Sequence, residues 1–219
     1  MSTVLDPIER QAAYLAISRM LTYPDQRLFD ELPLLEVIAD GLPAPVGTGL
    51  REYLRLIHAR TLLDLQEEYV STFDLKRRCC LYLSYYLNGD TRRRGMALWR
   101  FQETSQRAGW VITNGELADY LPMLLEFAAS GPDEESIAVT LMHEHHEGLE
   151  VLRAALKRFN SDSFLLINAL LQMLPELTAD QRAAADALIA HGPPTELVGI
   201  EPLSLAPFST VPNSDGARP

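Results

Sequence analysis

Residues 67–126 decide the fold of this chain. They read EEYVSTFDLKRRCCLYLSYYLNGDTRRRGMALWRFQETSQRAGW over 67–110 and, after a short link, ELADYLPMLLE over 116–126. Asp74 is a good N-cap, because a carboxylate accepts the unpaired N–H groups of a first helical turn. Leu75, the basic run Lys76-Arg77-Arg78 and then an apolar segment follow, which predicts a helix from Leu75 to Leu87 that Asn88-Gly89 would end.

The same pattern is repeated directly downstream. Asp90-Thr91 can cap a second helix, which begins with three arginines and runs to Gly109. Asp119 predicts the start of a third, with Pro122 in its first turn, where a missing N–H costs little. Cations at the positive end of the helix dipole are unfavourable, so the arginines need partners elsewhere. We favour structural ion pairs over a bound anionic ligand, with six acids as candidate partners: Glu67, Glu68, Asp74, Glu116, Asp119 and Glu126.

Capping residues, apolar periodicity and Pro/Gly stops predict only helices in the rest of the chain. The fold class expected is all-α, a single-domain helical bundle of about nine or ten helices over residues 1–191. The Pro-, Gly- and Ser-rich residues 192–219 are expected to be a disordered tail. Outside the central stretch the helices are predicted at 7–22, 25–39, 50–57, 61–70, 133–159, 162–174 and 179–191, with a connector at Gly41–Gly49.

Composition narrows the function classes. The chain has no apolar run of the roughly 20 residues that a membrane span needs, and its N-terminus lacks the pattern of a signal peptide, so we expect a cytoplasmic protein without stable membrane insertion. The net charge of −11 argues against nucleic-acid binding and favours a basic partner segment. Cys79 and Cys80 are neighbours on an apolar segment, which indicates small buried residues rather than a disulfide framework or a metal site.

The catalytic motifs considered are absent from the sequence. There is no GxSxG elbow and no GxGxxG loop, and GDTRRRG lacks the spacing of a phosphate loop. His143, His146 and Glu147 offer metal-type ligands, but HExxH would need a second histidine where Glu147 stands. We therefore favour a solvated helix face there, and expect no metal, no cofactor and no enzymatic activity. A small metal-dependent hydrolase using the His143–Glu147 cluster is kept as an alternative.

Four motifs carry a family resemblance, and they occur in order over about 60 residues. YVSTFD, LYLSYY, GDTRRRGMAL and ELADYLPMLLEF resemble the NarJ family of nitrate reductase molybdenum cofactor assembly chaperones, within the TorD/DmsD-like redox-enzyme maturation chaperones. RMLTYPD at 19–25 extends the resemblance more weakly. Ser105 stands where the family usually has Tyr, and Ala118 replaces the Pro of ELPDYLP.

This resemblance implies a TorD/NarJ-like fold and a chaperone of the apo catalytic subunit of respiratory nitrate reductase. Such a chaperone binds that subunit's N-terminal segment and assists molybdenum cofactor insertion before membrane attachment. We expect helix-in-groove binding, with an apolar groove and an acidic rim. A chaperone for another twin-arginine-exported molybdoenzyme is the second alternative, and the oligomeric state is left open. The residues expected in the partner-binding region are Asp74, Tyr85, Tyr86, Asp90, Arg94, Asp119, Tyr120, Pro122 and Glu126.

Overall fold

The structure, a computed structural model, describes residues 5–112 and 115–194. Within these ranges the chain forms eleven α-helices, one isolated bridge between Tyr82 and Tyr120, and no strand. The predicted all-α fold is confirmed, with eleven helices rather than nine or ten because one long predicted helix is divided. The helices are α1 Pro7–Leu21, α2 Gln26–Gly41, α3 Val46–Ile57, α4 Leu62–Tyr69, α5 Leu83–Asn88, α6 Arg92–Arg107, α7 Leu121–Ala129, α8 Pro132–Glu144, α9 His146–Arg158, α10 Phe164–Met173 and α11 Ala179–His191.

A single cluster of buried side chains holds these helices together. Helix α1 packs along α7, and α7 packs on α8. Helix α10 lies between α3 and α9, while α9 also receives α5 and α11. Tyr14, Tyr86, Phe101 and Phe127 are among the largest side chains that are fully buried. Each such burial stabilises the fold by roughly 1.5–3 kcal/mol, so the middle of the bundle is its energetic centre.

Several helix boundaries follow the predicted capping chemistry. The Asp6 carboxylate accepts a hydrogen bond from the Glu9 N–H at 2.8 Å, and the Glu9 side chain accepts one from the Asp6 N–H at 2.7 Å. The Asp25 carboxylate accepts the Leu28 N–H at 3.1 Å and caps α2. Gly89 has a φ of 57° directly after α5, in the left-handed region that glycine adopts readily. These boundaries were predictable because each cap lies within three residues of its partner.

The helix predicted from Leu75 to Leu87 is wrong. Residues Val70–Asp74 form a π-helical turn that continues α4, and Arg77–Cys79 form a single 3₁₀ turn. Asp74 therefore ends a helical segment and does not begin one. The chain then runs extended through Tyr82, where it pairs with a distant segment, before the short α5 begins.

The predicted helix over 133–159 is also wrong in its continuity. It is divided into α8 and α9 at His145, whose φ of −116° and ψ of 21° leave the helical region. The connector predicted at Gly41–Gly49 is shorter in the structure, since α2 ends at Gly41 and α3 starts at Val46.

Among the described residues no helix combines the length and the apolar character that crossing a membrane requires. Of the predicted tail at 192–219, only Gly192, Pro193 and Pro194 are described, and the remainder lies outside the described residues.

Candidate functional site

Four tyrosines in successive contact, and a fifth joined to them through Arg94, form a row at the surface. The row consists of Tyr23, Tyr69, Tyr120, Tyr82 and Tyr85. The rings of Tyr23 and Tyr69 stand edge-on with centroids 5.3 Å apart, and the hydroxyls of Tyr69 and Tyr120 lie 3.0 Å apart. The Tyr120 and Tyr82 rings are 5.4 Å apart. Apart from the exposed Tyr23, these rings are half-buried, so the row presents apolar faces and polar tips together.

Backbone pairing between two remote segments builds the middle of this tyrosine row. The Leu121 N–H donates to the Leu81 carbonyl at 2.8 Å, and the Leu83 N–H donates to the Asp119 carbonyl at 3.0 Å. This pairing places Tyr82, just before α5, beside Tyr120, just before α7. The row is therefore assembled by the tertiary fold and not by one helix face.

Acidic groups flank the tyrosine row. The Tyr82 hydroxyl donates to the Glu116 carboxylate at 3.0 Å. Asp74 is exposed and close enough to Tyr69 to contribute to the raised pKa of that phenol. Burial is the main reason that the pKa values of Tyr69, Tyr82 and Tyr120 are raised, with nearby acids adding to the effect. These hydroxyls thus stay protonated at neutral pH, with the Tyr82 proton donated to Glu116 and one proton of the Tyr69–Tyr120 pair donated between those two hydroxyls.

Arg94 closes the other end of the row. Its guanidinium carbon lies 5.9 Å from the centre of the Tyr82 ring and 5.8 Å from that of Tyr85. Arg94 also lies 3.5 Å from the Asp90 carboxylate, as does Arg77. The predicted ion-pairing of the arginines is confirmed for these two, but their partner is Asp90, which is outside the predicted set of acids.

Three predicted site residues lie in the interior, which corrects their assignment to a partner-binding surface. Tyr86 is fully buried, and its hydroxyl donates to the Cys80 carbonyl at 2.8 Å. Pro122 is buried, and its carbonyl accepts the Ser18 hydroxyl at 2.7 Å. Asp119 is fully buried and cannot meet a partner as a rim acid.

Asp119 has a structural task instead. One of its carboxylate oxygens accepts both the N–H and the hydroxyl of Ser84, at 3.0 and 2.6 Å. It therefore caps α5, a helix 35 residues earlier in the chain, and does not begin α7, which starts at Leu121. Its second oxygen is buried without a hydrogen-bond partner among the described residues.

The other predicted site residues are at or near the surface. Asp74, Asp90 and Glu126 are exposed, while Tyr85, Tyr120 and Arg94 belong to the tyrosine row or contact it. Tyr23, Tyr69 and Tyr82 complete the row but were not among the predicted site residues. The tyrosines at 23 and 69 lie inside quoted motifs, RMLTYPD and YVSTFD, but their sequence separation hides their contact.

The histidine cluster does not form a solvated helix face. His145 and His146 are buried, and burial lowers the pKa of both imidazoles. The His145 Nδ1 lies 3.0 Å from the Leu141 carbonyl, and its ring contacts Phe101. In the parts of the chain that the structure describes, no three His, Cys, Asp or Glu side chains are grouped to hold a metal ion.

The two cysteines have raised pKa values. Burial raises the pKa of Cys79 to about 11 and also raises that of the half-buried Cys80. A thiol with such a pKa is almost wholly protonated at neutral pH, and the thiolate is the nucleophilic form. The prediction that they are small packing residues agrees with this environment.

Comparisons with known proteins point in one direction. The sequence model described as nitrate reductase delta subunit matches residues 39–162. The probable nitrate reductase molybdenum cofactor assembly chaperone NarJ of Bacillus subtilis is 29% identical over 79% of this chain and 94% of its own length. The nitrate reductase molybdenum cofactor assembly chaperone NarJ of Escherichia coli K12 is 31% identical, over 72% of this chain and 67% of its own length. A crystal structure of a putative redox enzyme maturation protein from Archaeoglobus fulgidus shares the fold, with a TM-score of 0.52, 21% identity and coverage of 75% of this chain and 91% of that one.

Proposed function

The chain belongs to the nitrate reductase delta subunit family, a family of assembly chaperones and not of enzymes, and we propose that it binds the apo catalytic subunit of a respiratory nitrate reductase. In this proposal it recognises the N-terminal segment of that subunit and holds the subunit ready for molybdenum cofactor insertion before membrane attachment. In the same proposal residues 1–191 constitute the chaperone domain. The relatives from Bacillus subtilis and Escherichia coli are named as nitrate reductase assembly chaperones, which supports a nitrate reductase subunit as the partner.

The tyrosine row is the observation that carries the proposal. Four half-buried rings and the exposed Tyr23 offer a broad apolar surface on a rigid frame. Tyrosine gives a large contact area at low cost in side-chain entropy, since it has only two rotatable side-chain bonds. Such a surface suits one apolar face of a helical or extended peptide.

The charge around the row indicates the chemistry of that peptide. Asp74 and Glu116 lie beside the row, and Glu126 is exposed six residues after Tyr120. The chain as a whole carries a net charge of −11. An amphipathic segment with Lys or Arg at the edge of its apolar face would complement this surface, and its association would be accelerated by the attraction.

Calorimetric titration with the N-terminal peptide of the host's nitrate reductase catalytic subunit tests the proposal. We expect saturable one-to-one binding that a scrambled peptide does not show. A parallel titration with the N-terminal peptide of another twin-arginine-exported molybdoenzyme tests the alternative partner. Tighter binding of that second peptide would mean that the chain is a chaperone for the other molybdoenzyme and not for nitrate reductase.

Charge reversal at Asp74 tests the position of the site. Replacing a side-chain charge of −1 by one of +1, about 6 Å from a peptide cation in water, changes the electrostatic interaction energy by ~1.4 kcal/mol. This energy corresponds to about a tenfold change in affinity. Asp74→Lys should therefore bind the peptide about tenfold more weakly than the wild type. Asp186→Lys, which reverses an exposed acid on α11, is the matched control and should bind as the wild type does. Equal affinities for the two variants would exclude the tyrosine row as the site.

A further inference from the structure

Helix α6 exposes an apolar surface on its first half. Met96 is 70% exposed and Trp99 is 61% exposed, although both are large apolar side chains. They are three residues apart and therefore lie on one side of the helix. The second half of α6 is held to the body, since Phe101 is buried against His145 and Arg100 pairs with Glu144 at 2.5 Å. The helix is thus fixed in place while Met96 and Trp99 stay uncovered by the described residues.

This α6 surface is basic as well as apolar. Arg93, three positions before Met96, is exposed, and Arg100, four positions after it, is also exposed although it pairs with Glu144. A basic, apolar surface is unusual on a chain whose net charge is −11. It complements a segment that is apolar and acidic.

The described chain ends beside this surface. Pro194 and Arg93 both line a cavity of about 280 Å³, together with residues of the turn between α5 and α6. A Cβ added at Gly89 would overlap the Pro194 carbonyl oxygen, so the two backbones are in close contact. Just upstream, the Arg78 guanidinium donates to the Ile189 carbonyl at 3.0 Å and lies beside Gly192. These contacts fix the point from which the C-terminal segment continues.

The segment that follows has the complementary chemistry. Residues 196–208 read ELVGIEPLSLAPF, with two glutamates, six large apolar side chains and no Lys or Arg. Three residue-to-residue steps of extended chain, from Pro194 to Leu197, span about 10 Å. Six helical steps along α6, from Arg93 to Trp99, rise about 9 Å. The first apolar residues of the segment therefore reach Met96 and Trp99 without a long connection.

We propose that residues 196–208 bind across Met96 and Trp99 of the same chain and cover the basic, apolar surface of α6. Glu196 meets the exposed Arg93 of that surface, and Leu197, Ile200 and Leu203 cover the two apolar side chains. A partner that uses this side of α6 must first displace the segment. The proposal is independent of peptide binding at the tyrosine row.

Tryptophan quenching in the full chain tests this. The chain contains two tryptophans, so Trp110→Phe leaves Trp99 as the sole tryptophan, whose fluorescence is excited selectively over that of the tyrosines. We expect the acrylamide quenching constant of Trp99 to rise at least about twofold when Leu197, Ile200 and Leu203 are all replaced by Ser, with unchanged far-UV circular dichroism. Should Trp110→Phe impair folding, the Trp99 signal is obtained as the difference between the parent chain and Trp99→Phe.

A matched probe on another surface is the control. Val37 on α2 is 69% exposed, and a chain with Val37→Trp, Trp99→Phe and Trp110→Phe reports on that remote site. Its quenching should not respond to the three serine substitutions. Quenching of Trp99 that is the same with and without the substitutions overturns the proposal. Protection that disappears on dilution also overturns it, because the occupant would then be a second copy of the chain.

Discussion

Replacing Asp119 by Ala should destabilise the protein without any partner being involved. The substitution leaves the N–H and the hydroxyl of Ser84 as buried donors without their acceptor. An unsatisfied buried group costs about 1–3 kcal/mol, and loss of a helix cap costs about 0.5–2 kcal/mol, two overlapping descriptions of one loss. The wild-type carboxylate is itself buried with one oxygen unpartnered, so its removal recovers part of this cost. We expect a net loss of about 1–3 kcal/mol in the free energy of unfolding.

Urea unfolding followed by circular dichroism measures this loss. In thermal unfolding, at roughly 2–4 °C per kcal/mol for a chain of this size, the melting temperature should fall by about 2–12 °C. Asp119→Asn retains an acceptor for Ser84 and should lose about half as much. Asp186→Ala is the control, since it removes an exposed carboxylate on α11 and should change stability by less than about 0.5 kcal/mol. If Asp119→Ala unfolds within 0.5 kcal/mol of Asp186→Ala, the capping role assigned to Asp119 is refuted.

Two further predictions concern packing and pH. A Cβ at Gly148 would lie 2.8 Å from the Tyr86 Cβ, so Gly148→Ala should lower the free energy of unfolding, measured in urea, by about 1–3 kcal/mol. Gly95→Ala is the control, because open space surrounds Gly95, and it should be neutral or stabilising. Burial lowers the pKa values of His145 and His146, so the unfolded chain binds more protons below its histidine pKa of about 6.5. The free energy of unfolding should therefore be highest above that pH. As the pH drops below it, each of the two histidines should lower the free energy of unfolding by up to ~1.4 kcal/mol per pH unit. His146→Asn should make the profile of unfolding free energy between pH 7 and 5 flatter. A wild-type profile that rises towards pH 5 would contradict the assigned burial.

Local chemistry made part of the fold predictable. The starts of α1 and α2 depend on Asp6 and Asp25, each of which caps an N–H three residues away. A sequence displays such pairs directly. The end of α5 was equally visible, because Gly89 follows Asn88 and adopts a positive φ. In these places the sequence signal and the stabilising contact are the same few residues.

The errors occur where the decisive contact is remote. The extended chain through Tyr82 is stabilised by pairing at Tyr120, and the start of α5 by the Asp119 carboxylate. Nothing within residues 75–87 shows that these partners exist, and the apolar residues that follow the basic run Lys76-Arg77-Arg78 favoured one helix. The break at His145 is similar: the apolar periodicity continues across it, and no Gly or Pro marks it.

Adjacent tyrosines show why the site was only partly predictable. Tyr85 and Tyr86 have the same chemistry, yet Tyr85 contacts Arg94 at the surface and Tyr86 is fully buried against the backbone of Cys80. The rotation of the six-residue helix α5 about its axis determines which of the two tyrosines is exposed and which is buried. That rotation is set by the remote cap at Asp119, so the division between core and surface could not be read from the motif alone.

The motifs that carry the family resemblance therefore contain both structural residues and exposed residues that are free to contact a partner. Asp119, Tyr86 and Pro122 lie in the interior and hold the segments together, so changing them alters the fold before it alters any contact with a partner. A loss of binding in such a variant says nothing about where the partner sits. Asp74 is exposed beside the tyrosine row, and its replacement leaves the interior contacts intact. Partner identity has to be sought at positions of this second kind, with stability measured on the same variants.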